Sequence, residues 1–546
     1  LYKLVQQHLE SFLAHAREHY DGGLPRYVEK EFRAYLACGD FSQGFTRCRC
    51  DACGHDLLVA FSCGSRSICP SCTGRRMANT AAFLVDRVLP DVPVRQYVLT
   101  LPFELRKLVA FKADVLTAIA RIFVESVFAV YRARAKRTGV HDAQCGAVNF
   151  VQRFGSLNLH CHYHLLVLDC VFARDADGRI VAHPAPPPTH ADLETILDRT
   201  ARRVVTWLRL HGYVDDVPPE SRSNDLPAQT ALDACAAIAI GRGNVATLLR
   251  HGAEQDDPHG DLDERPDKPA LAVEHGGFNL HAGVRIEAGD DLGRERLARY
   301  GARPPISLER LRRLPSGLIA YRLKYVSRGR RGKHRVMTGL EFMARLAAII
   351  CPPRYPLVRF AGVLAPRSKW RREVVPKPRE KQPERCTLAN DVGKPDVPAP
   401  KTKVDGGDKG NVSARPPASR EPEERTRIGG HSQDLVTAPV AGPSPGDVIT
   451  LAPNVIGVKH WDRLMGGLLY AAQPRVDWAT LLRRSLSVDV LECPTCHGRL
   501  RVVAVITERE PIQRILAHLG MPTAPPPVAH ARDPDDEPAQ LELDIA

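Results

Sequence analysis

Leu4, Val5, His8, Leu9, Phe12 and Leu13 recur at intervals of three and four, the period of one helix face. They predict an amphipathic packing helix that ends near Gly22-Gly23. From Arg95 to about Arg372 the pattern alternates between two periods. Strand-like runs such as Gln96-Tyr-Val-Leu-Thr-Leu stand beside helical ones such as Arg106 to Arg134, an α+β arrangement. Periodicity then lapses: twelve prolines fall between Pro376 and Thr450 among charged and small residues, a composition that cannot offset the entropy of ordering and reads as a linker. Gln255 to Pro269 is polar and aperiodic and is expected to be an exposed loop. Patterning returns near Trp461 and continues to Leu519, before Pro525-Pro-Pro and an acidic tail at Asp533, Asp535, Asp536 and Glu537. No internal repeat is evident.

The sharpest alternation is Asn158-Leu-His160-Cys-His162-Tyr-His164-Leu-Leu-Val-Leu168. Period two puts Asn158, His160, His162 and His164 on one face of a strand and Leu159, Cys161, Tyr163, Leu165 and Val167 on the other. Three imidazoles in an apolar setting are costly unless compensated, and a bound divalent cation compensates them. Hydrogen bonding alone would account for any one of them. His281, in the strand-like run Phe278-Asn-Leu-His281, is a further candidate ligand or DNA contact, with simple packing as the alternative.

Seven cysteines crowd between Cys38 and Cys72, which in a chain this long points to metal binding in a reducing compartment and not to a disulfide scaffold. Cys50-x-x-Cys53 and Cys69-x-x-Cys72 lie sixteen residues apart, the spacing of a zinc ribbon whose two knuckles close one structural, tetrahedral site. Cys38, Cys48 and Cys63 are left over; any of them can exchange with a knuckle cysteine or complete a second site. Cys493-Pro-Thr-Cys496 has no clear partner pair and is half of a site completed elsewhere, a redox pair or a relic knuckle. Arg66, Arg75 and Arg76 are available to phosphates or to solvent.

After Pro315-Ser316, the segment Leu318-Ile-Ala-Tyr321-Arg-Leu-Lys-Tyr325 reads as a helix with both tyrosines on one face. Arg322, Lys324, Arg328, Arg330, Arg331, Lys333 and Arg335 surround them. Tyr355, Phe360 and Trp370 follow among further arginines, and interleaved aromatics and cations suit single-stranded nucleic acid. A phenol is a poor nucleophile until cations lower the cost of its anion, which these neighbours can do.

Length and charge add bounds. At 546 residues a soft prior gives three or four domains. With no apolar run of eighteen, no membrane span is expected and the chain should be soluble, while the opening Leu1 leaves room for a missing N-terminal piece or processed signal. A net charge of +13 favours an acidic polymer as partner, although a solvated basic surface explains that number equally well. No GxxxxGK[ST] motif is present, so no nucleotide cofactor is expected.

His162-Tyr-His164 together with Tyr321-x-x-x-Tyr325 resembles the paired-tyrosine rolling-circle transposases of insertion sequences, the IS-ninety-one family. Phe61-Ser-Cys, Cys69-Pro-Ser-Cys72, Pro93 to Pro102, Phe278 to Gly283, Arg303-Pro-Pro, Val363-Leu-Ala-Pro366 and Cys493-Pro-Thr-Cys496 extend the likeness over nearly the whole chain. The resemblance implies an α+β, His-hydrophobe-His endonuclease-like antiparallel sheet with helices, preceded by a zinc-ribbon-like module. The two histidines would sit on a central strand and the tyrosines on a nearby helix. The implied organisation is an N-terminal helix (1–30), a zinc-binding domain (31–94), a tyrosine endonuclease domain (95–373), a disordered linker (374–455), a small CxxC domain (456–520) and a tail (521–546).

His162 and His164 carry over as ligands of a catalytic divalent ion, magnesium or manganese, with His160 and Asn158 as candidates for the third position; imidazoles alone would accept manganese or zinc, magnesium wanting an added carboxylate. Tyr321 and Tyr325 carry over as nucleophiles, Tyr321 foremost, giving a 5′-phosphotyrosine and a free 3′-hydroxyl. Structural zinc at Cys50, Cys53, Cys69 and Cys72 would help recognise the element's end. The expected partners are single-stranded DNA of mobile-element ends and target DNA, met in the bacterial cytoplasm at the nucleoid. An inactive zinc-dependent DNA-binding protein and a water-activating metal hydrolase are the rival readings.

Overall fold

A computed structural model describes residues 1–213, 230–240, 271–323, 333–376, 456–457 and 491–532. All belong to one compact unit made of residues 1–377 and 442–546; residues 378–441 form a second unit, outside the described residues. The expected loop 255–269 and the expected linker from 377 onward also lie outside them.

The strands are β1 (Phe45–Cys50), β2 (Asp56–Ser62), β3 (Val94–Thr100), β4 (Gly146–Phe154), β5 (Leu159–Leu168), β6 (Cys170–Arg174), β7 (Ile180–Pro184), β8 (Ala272–His275), β9 (Phe278–Ile286), β10 (Leu311–Arg313), β11 (Ile319–Arg322), β12 (His334–Met337), β13 (Val358–Gly362), β14 (Ile456–Gly457) and β15 (Leu500–Ile506). The central sheet has six antiparallel strands in the order β13-β4-β5-β3-β9-β8, so the histidine strand β5 is interior.

Helices cover both faces of this sheet, and the sequence of β5 shows why. Its first half alternates and its second half is wholly apolar, and all ten residues are buried. Leu159, Cys161, Tyr163, Leu165 and Val167 join the larger core with the helices Ala113–Arg137, His190–Leu210, Ala231–Ile240 and Gly339–Ile349. The opposite face carries the histidines and then Leu166 and Leu168, which pack with Val148, Phe150 and the helices Pro70–Arg87 and Asp291–Gly301. Each fully buried Leu or Val contributes about 1.5–3 kcal/mol, so a one-residue slip of this strand would be heavily penalised.

The N-terminal helix runs Tyr2–His19, and its six periodic positions are buried, all but His8 in the larger core. The segment after Pro315 corrects the sequence reading. Residues Ile319–Arg322 form a strand, not a helix, in the three-stranded sheet β10-β11-β12, with Tyr321 opposite Leu311 and Arg335. The β-branched Ile319 and aromatic Tyr321 favour a pleated surface, and Gly317 at φ +87° supplies the tight turn that returns the chain from β10.

The C-terminal CxxC segment, expected as a domain of its own, adds β15 to the edge of β1, and the helix Arg509–His518 packs Ile512 and Leu516 on Phe45. Among the described residues no helix is long and apolar enough to cross a membrane.

Candidate active site and metal centres

The register of β4, β5 and β3 sets the histidine site. Gln152, His162 and Thr100 are directly opposite one another, as are Phe150, His164 and Val98, so these side chains share a face. His160, His162 and His164 form a continuous row with ring centroids 5.0 and 4.9 Å apart. Asn158 is buried in the turn just before β5. His281 lies opposite Val98 on β9, two strand spacings from His164, or about 10 Å.

Hydrogen bonds orient the row. The His162 Nδ1–H donates to the His160 carbonyl at 2.9 Å, which leaves Nε2 with its lone pair outward. Gln96 meets His164 Nδ1 at 3.1 Å. The contacting atom is the Gln96 amide nitrogen, which donates, so the Nδ1 lone pair accepts. His160 Nε2 is buried with no hydrogen-bond partner among the described residues, a polar atom that a cation would satisfy.

Burial also keeps His160 and His162 neutral and able to act as ligands. It pushes the His162 pKa down to about 4, against the pull of its hydrogen bond to His160, with Arg303 and Arg106 pushing the same way. His160 is driven well below its ordinary value, first by burial and then by His162, Arg106 and Arg303.

Residues that the periodicity did not single out complete this wall. Gln152 donates to the Tyr300 and Gly301 carbonyls at 2.7 and 3.0 Å, and Arg303 Nε donates to Gln152 Oε1 at 3.1 Å. Tyr300 meets His164 edge-on at 5.4 Å, and the Arg303 guanidinium lies 4.8 Å from the centre of its ring. The available signal was weak: Gln152 is one of three polar residues, with Asn149 and Arg153, in the β4 run Ala147 to Phe154.

Tyr321 is buried, and its hydroxyl accepts from Ser307 N at 3.3 Å. Burial raises its pKa, with that hydrogen bond and Arg310, Arg303 and Arg335 pulling the other way. Arg322 is exposed on β11. Tyr325, Lys324, Arg328, Arg330 and Arg331 lie outside the described residues.

At the far end of β5, Asp169 accepts from Arg95, Arg285 and Tyr131, with the Arg95 and Asp169 side chains only 4% and 1% exposed. This buried network pins β5, β3 and β9 to the helix Ala113–Arg137.

The cysteines do not form the single ribbon site expected of Cys50, Cys53, Cys69 and Cys72. Cys69 and Cys72 gather with Cys38 and Cys63, whereas Cys50 and Cys53 gather with Cys493 and Cys496. The hairpin is the reason. Cys50 and Cys53 sit at the turn between β1 and β2, and Cys38 and Cys63 flank its open end. Six residues of strand separate those ends by about 17–20 Å, too far for one ion.

In the first tetrad the sulfur separations are 3.8 Å (Cys38–Cys72), 3.5 Å (Cys63–Cys72) and 3.6 Å (Cys69–Cys38). Zinc–sulfur bonds of about 2.3 Å in a tetrahedron give edges of about 3.8 Å. Hydrogen bonds from its three neighbours hold Cys72 low and leave Cys69 raised, a sharing of protons that zinc would replace by four thiolates. Cys48 is buried beside the second tetrad and is not one of its members.

Among the described residues the only other group whose ligand atoms all lie within 4.8 Å of one another is His15, Glu18 and His19. The β5 histidines are aligned but not drawn to a point.

Comparison with known proteins adds identity to this geometry. Residues 4–101, which hold the whole first tetrad, match a family described as "Transposase zinc-binding domain", so structural zinc belongs to this module. Residues 146–372, from β4 to the end of the histidine domain, match one described as "Putative transposase". The transposase for insertion sequence element IS801 from Pseudomonas savastanoi pv. phaseolicola is 30% identical over 149 residues, 27% of this chain and 34% of that protein. The matched part thus spans about a third of that relative's length. No solved structure matches. Together the two family matches cover more than half of the sequence, and the chain belongs to the IS-ninety-one type of insertion-sequence transposases.

Proposed function

We propose that this protein nicks single-stranded DNA at the ends of a mobile element and transfers the cut strand through a covalent tyrosine link. The observation that carries this reading is the buried row of imidazoles on β5, with His160 and His162 kept neutral, His162 Nδ1 rather than Nε2 engaged by the His160 carbonyl, and Arg303 beside it. His162 and His164, with His160 or Asn158, would hold a divalent ion, magnesium or manganese, which when bound stabilises charge developing on a scissile phosphate. Arg303 supplies a second positive group on the same wall.

The phenol oxygen of Tyr321 or Tyr325 attacks the phosphorus, the bond from phosphorus to the 3′ oxygen breaks, and a 5′-phosphotyrosine forms. The phenolic proton leaves, and the departing 3′ oxygen takes up a proton to become a hydroxyl. Attack by a 3′-hydroxyl reverses the step on another strand, so one phosphodiester replaces another and no nucleotide is consumed. For Tyr321 the hydroxyl must first exchange Ser307 N for the phosphate. Arg322, with Lys324, Arg328, Arg330 and Arg331, is assigned to the DNA backbone, and the zinc module to the element's end.

The test incubates labelled single-stranded DNA from the element's ends, plus manganese, with wild type, Tyr321→Phe, Tyr325→Phe, Tyr300→Phe and His162→Ala. A denaturation-resistant adduct is expected, lost with the nucleophilic tyrosine and lowered more than about 100-fold in His162→Ala, since even outer-shell groups at metal sites cost 10–100-fold. Loss in Tyr300→Phe alone would move the nucleophile to the helix Asp291–Gly301. Nicking without adduct favours a water-activating hydrolase; binding without cutting favours an inactive DNA-binding protein.

A further inference from the structure

We infer that Cys50, Cys53, Cys493 and Cys496 bind a second zinc ion, which fastens the C-terminal segment onto the N-terminal module. Cysteines 440 or more positions apart build this site. Cys50 and Cys496 sulfurs are 3.5 Å apart, Cys53 and Cys493 sulfurs 3.6 Å, and all four lie within 4.8 Å of one another. A disulfide would bring two sulfurs to about 2.05 Å, whereas these separations are close to the edge of a zinc–thiolate tetrahedron.

The backbone provides the second line of argument, because the two CxxC turns are near copies. Gly54 N donates to the Cys50 carbonyl at 3.0 Å, and His497 N donates to the Cys493 carbonyl at 2.9 Å. Cys50 N donates to His55 O at 2.8 Å, and Cys493 N donates to Gly498 O at 2.7 Å. Each turn passes through the left-handed region just after its second cysteine, at Gly54 (φ +74°) and His497 (φ +59°). Glycine adopts that conformation freely, whereas histidine adopts it only against steric cost, so something must hold the turn in place. Gly498 is equally constrained: a Cβ there would lie 3.2 Å from the sulfurs of both Cys496 and Cys50 and 3.0 Å from Ala52 Cβ.

Strand pairing aligns the two turns. β15 runs antiparallel to β1 with Leu500 opposite Cys50 and Ile506 opposite Phe45, and Arg501 pairs with Asp51. Such matched knuckles, brought together at the end of a shared sheet, form a closed four-sulfur site of the structural kind. The family match to a zinc-binding domain stops at residue 101 and contains only half of these ligands. The inference does not depend on the nicking chemistry.

Metal analysis of the full chain should find two zinc ions per molecule. Cys493→Ser with Cys496→Ser should leave one, Cys50→Ser with Cys53→Ser should also leave one, and all four together should still leave one. A wild-type value of one, two ions retained in the Cys493/Cys496 variant, or iron in place of zinc would overturn the proposal. Should the variants misfold, wild type reconstituted with cadmium-113 serves instead: two resonances in the four-thiolate range are expected, and a single one refutes the second site.

Discussion

The cysteine module and the histidine row of β5 are both built from metal-binding residues, yet they are held in place by different forces. Each cysteine tetrad brings its four sulfurs within 4.8 Å of one another, on short segments at the two ends of the β1–β2 hairpin. The histidines are instead fixed by the sheet: β5 is interior, buried on both faces, and its rings stand side by side without converging. The first arrangement suits a closed structural site, whose metal supplies folding energy. The second suits an open catalytic site, where scaffold and chemistry are separable and a position remains for substrate.

Metal removal should therefore divide the molecule. Structural zinc contributes on the order of 10–16 kcal/mol in apparent binding energy, more than a small module can replace. A strong chelator, or Cys69→Ser, is expected to unfold β1, β2 and β15 while the six-stranded sheet survives, read by hydrogen exchange. Equal loss of protection in β5 would break the distinction. The converse perturbation is Asp169→Asn, which leaves Arg95 and Arg285 with half a partner. Breaking a buried ion pair costs about 3–5 kcal/mol. Denaturant unfolding should show that loss with or without chelator, because no metal is involved.

These two regions also differed in how far they could be read from sequence. Period two is a local property, so the alternation from Asn158 to Leu168 was enough to place three histidines on one face. Ligand pairing is not local. Spacing alone joined Cys50 and Cys53 to Cys69 and Cys72, because nothing in the string shows that a hairpin separates them or that Cys493 arrives along β15. Tyr321 failed for a related reason: a four-residue spacing satisfies a helix face and a strand face alike, and only pairing with β10 and β12 decides. Gln152 and Arg303 acquired a place in the site only when the register of β4 put Gln152 opposite His162.

Acid sharpens the same comparison. The unfolded chain protonates His162 near the ordinary imidazole value of about 6.5, and burial in the fold delays this to about 4. Stability is thus fully present above pH 6.5 and is lost as the pH falls toward 4, by about 3 kcal/mol at about 1.4 kcal/mol per unit. Replacing His162 with Leu should flatten that limb of the stability–pH curve in metal-free buffer. An unchanged limb would mean that the imidazole is reached by water and that the row is less enclosed than the sheet implies.

The smallest expected effect is the most discriminating for the proposed chemistry. Tyr321→Phe removes one oxygen, whose one hydrogen bond among the described residues is accepted from Ser307 N. Losing such a bond costs about 1 kcal/mol, with the ring still filling its place in the core. Thermal unfolding should therefore shift only slightly. If that near-silent substitution abolishes the DNA adduct, its effect lies in chemistry and not in folding, as expected of a nucleophile. If the adduct persists while unfolding shifts as expected, Tyr321 is a packing residue of β11 and the attacking oxygen belongs to another tyrosine, Tyr325 first.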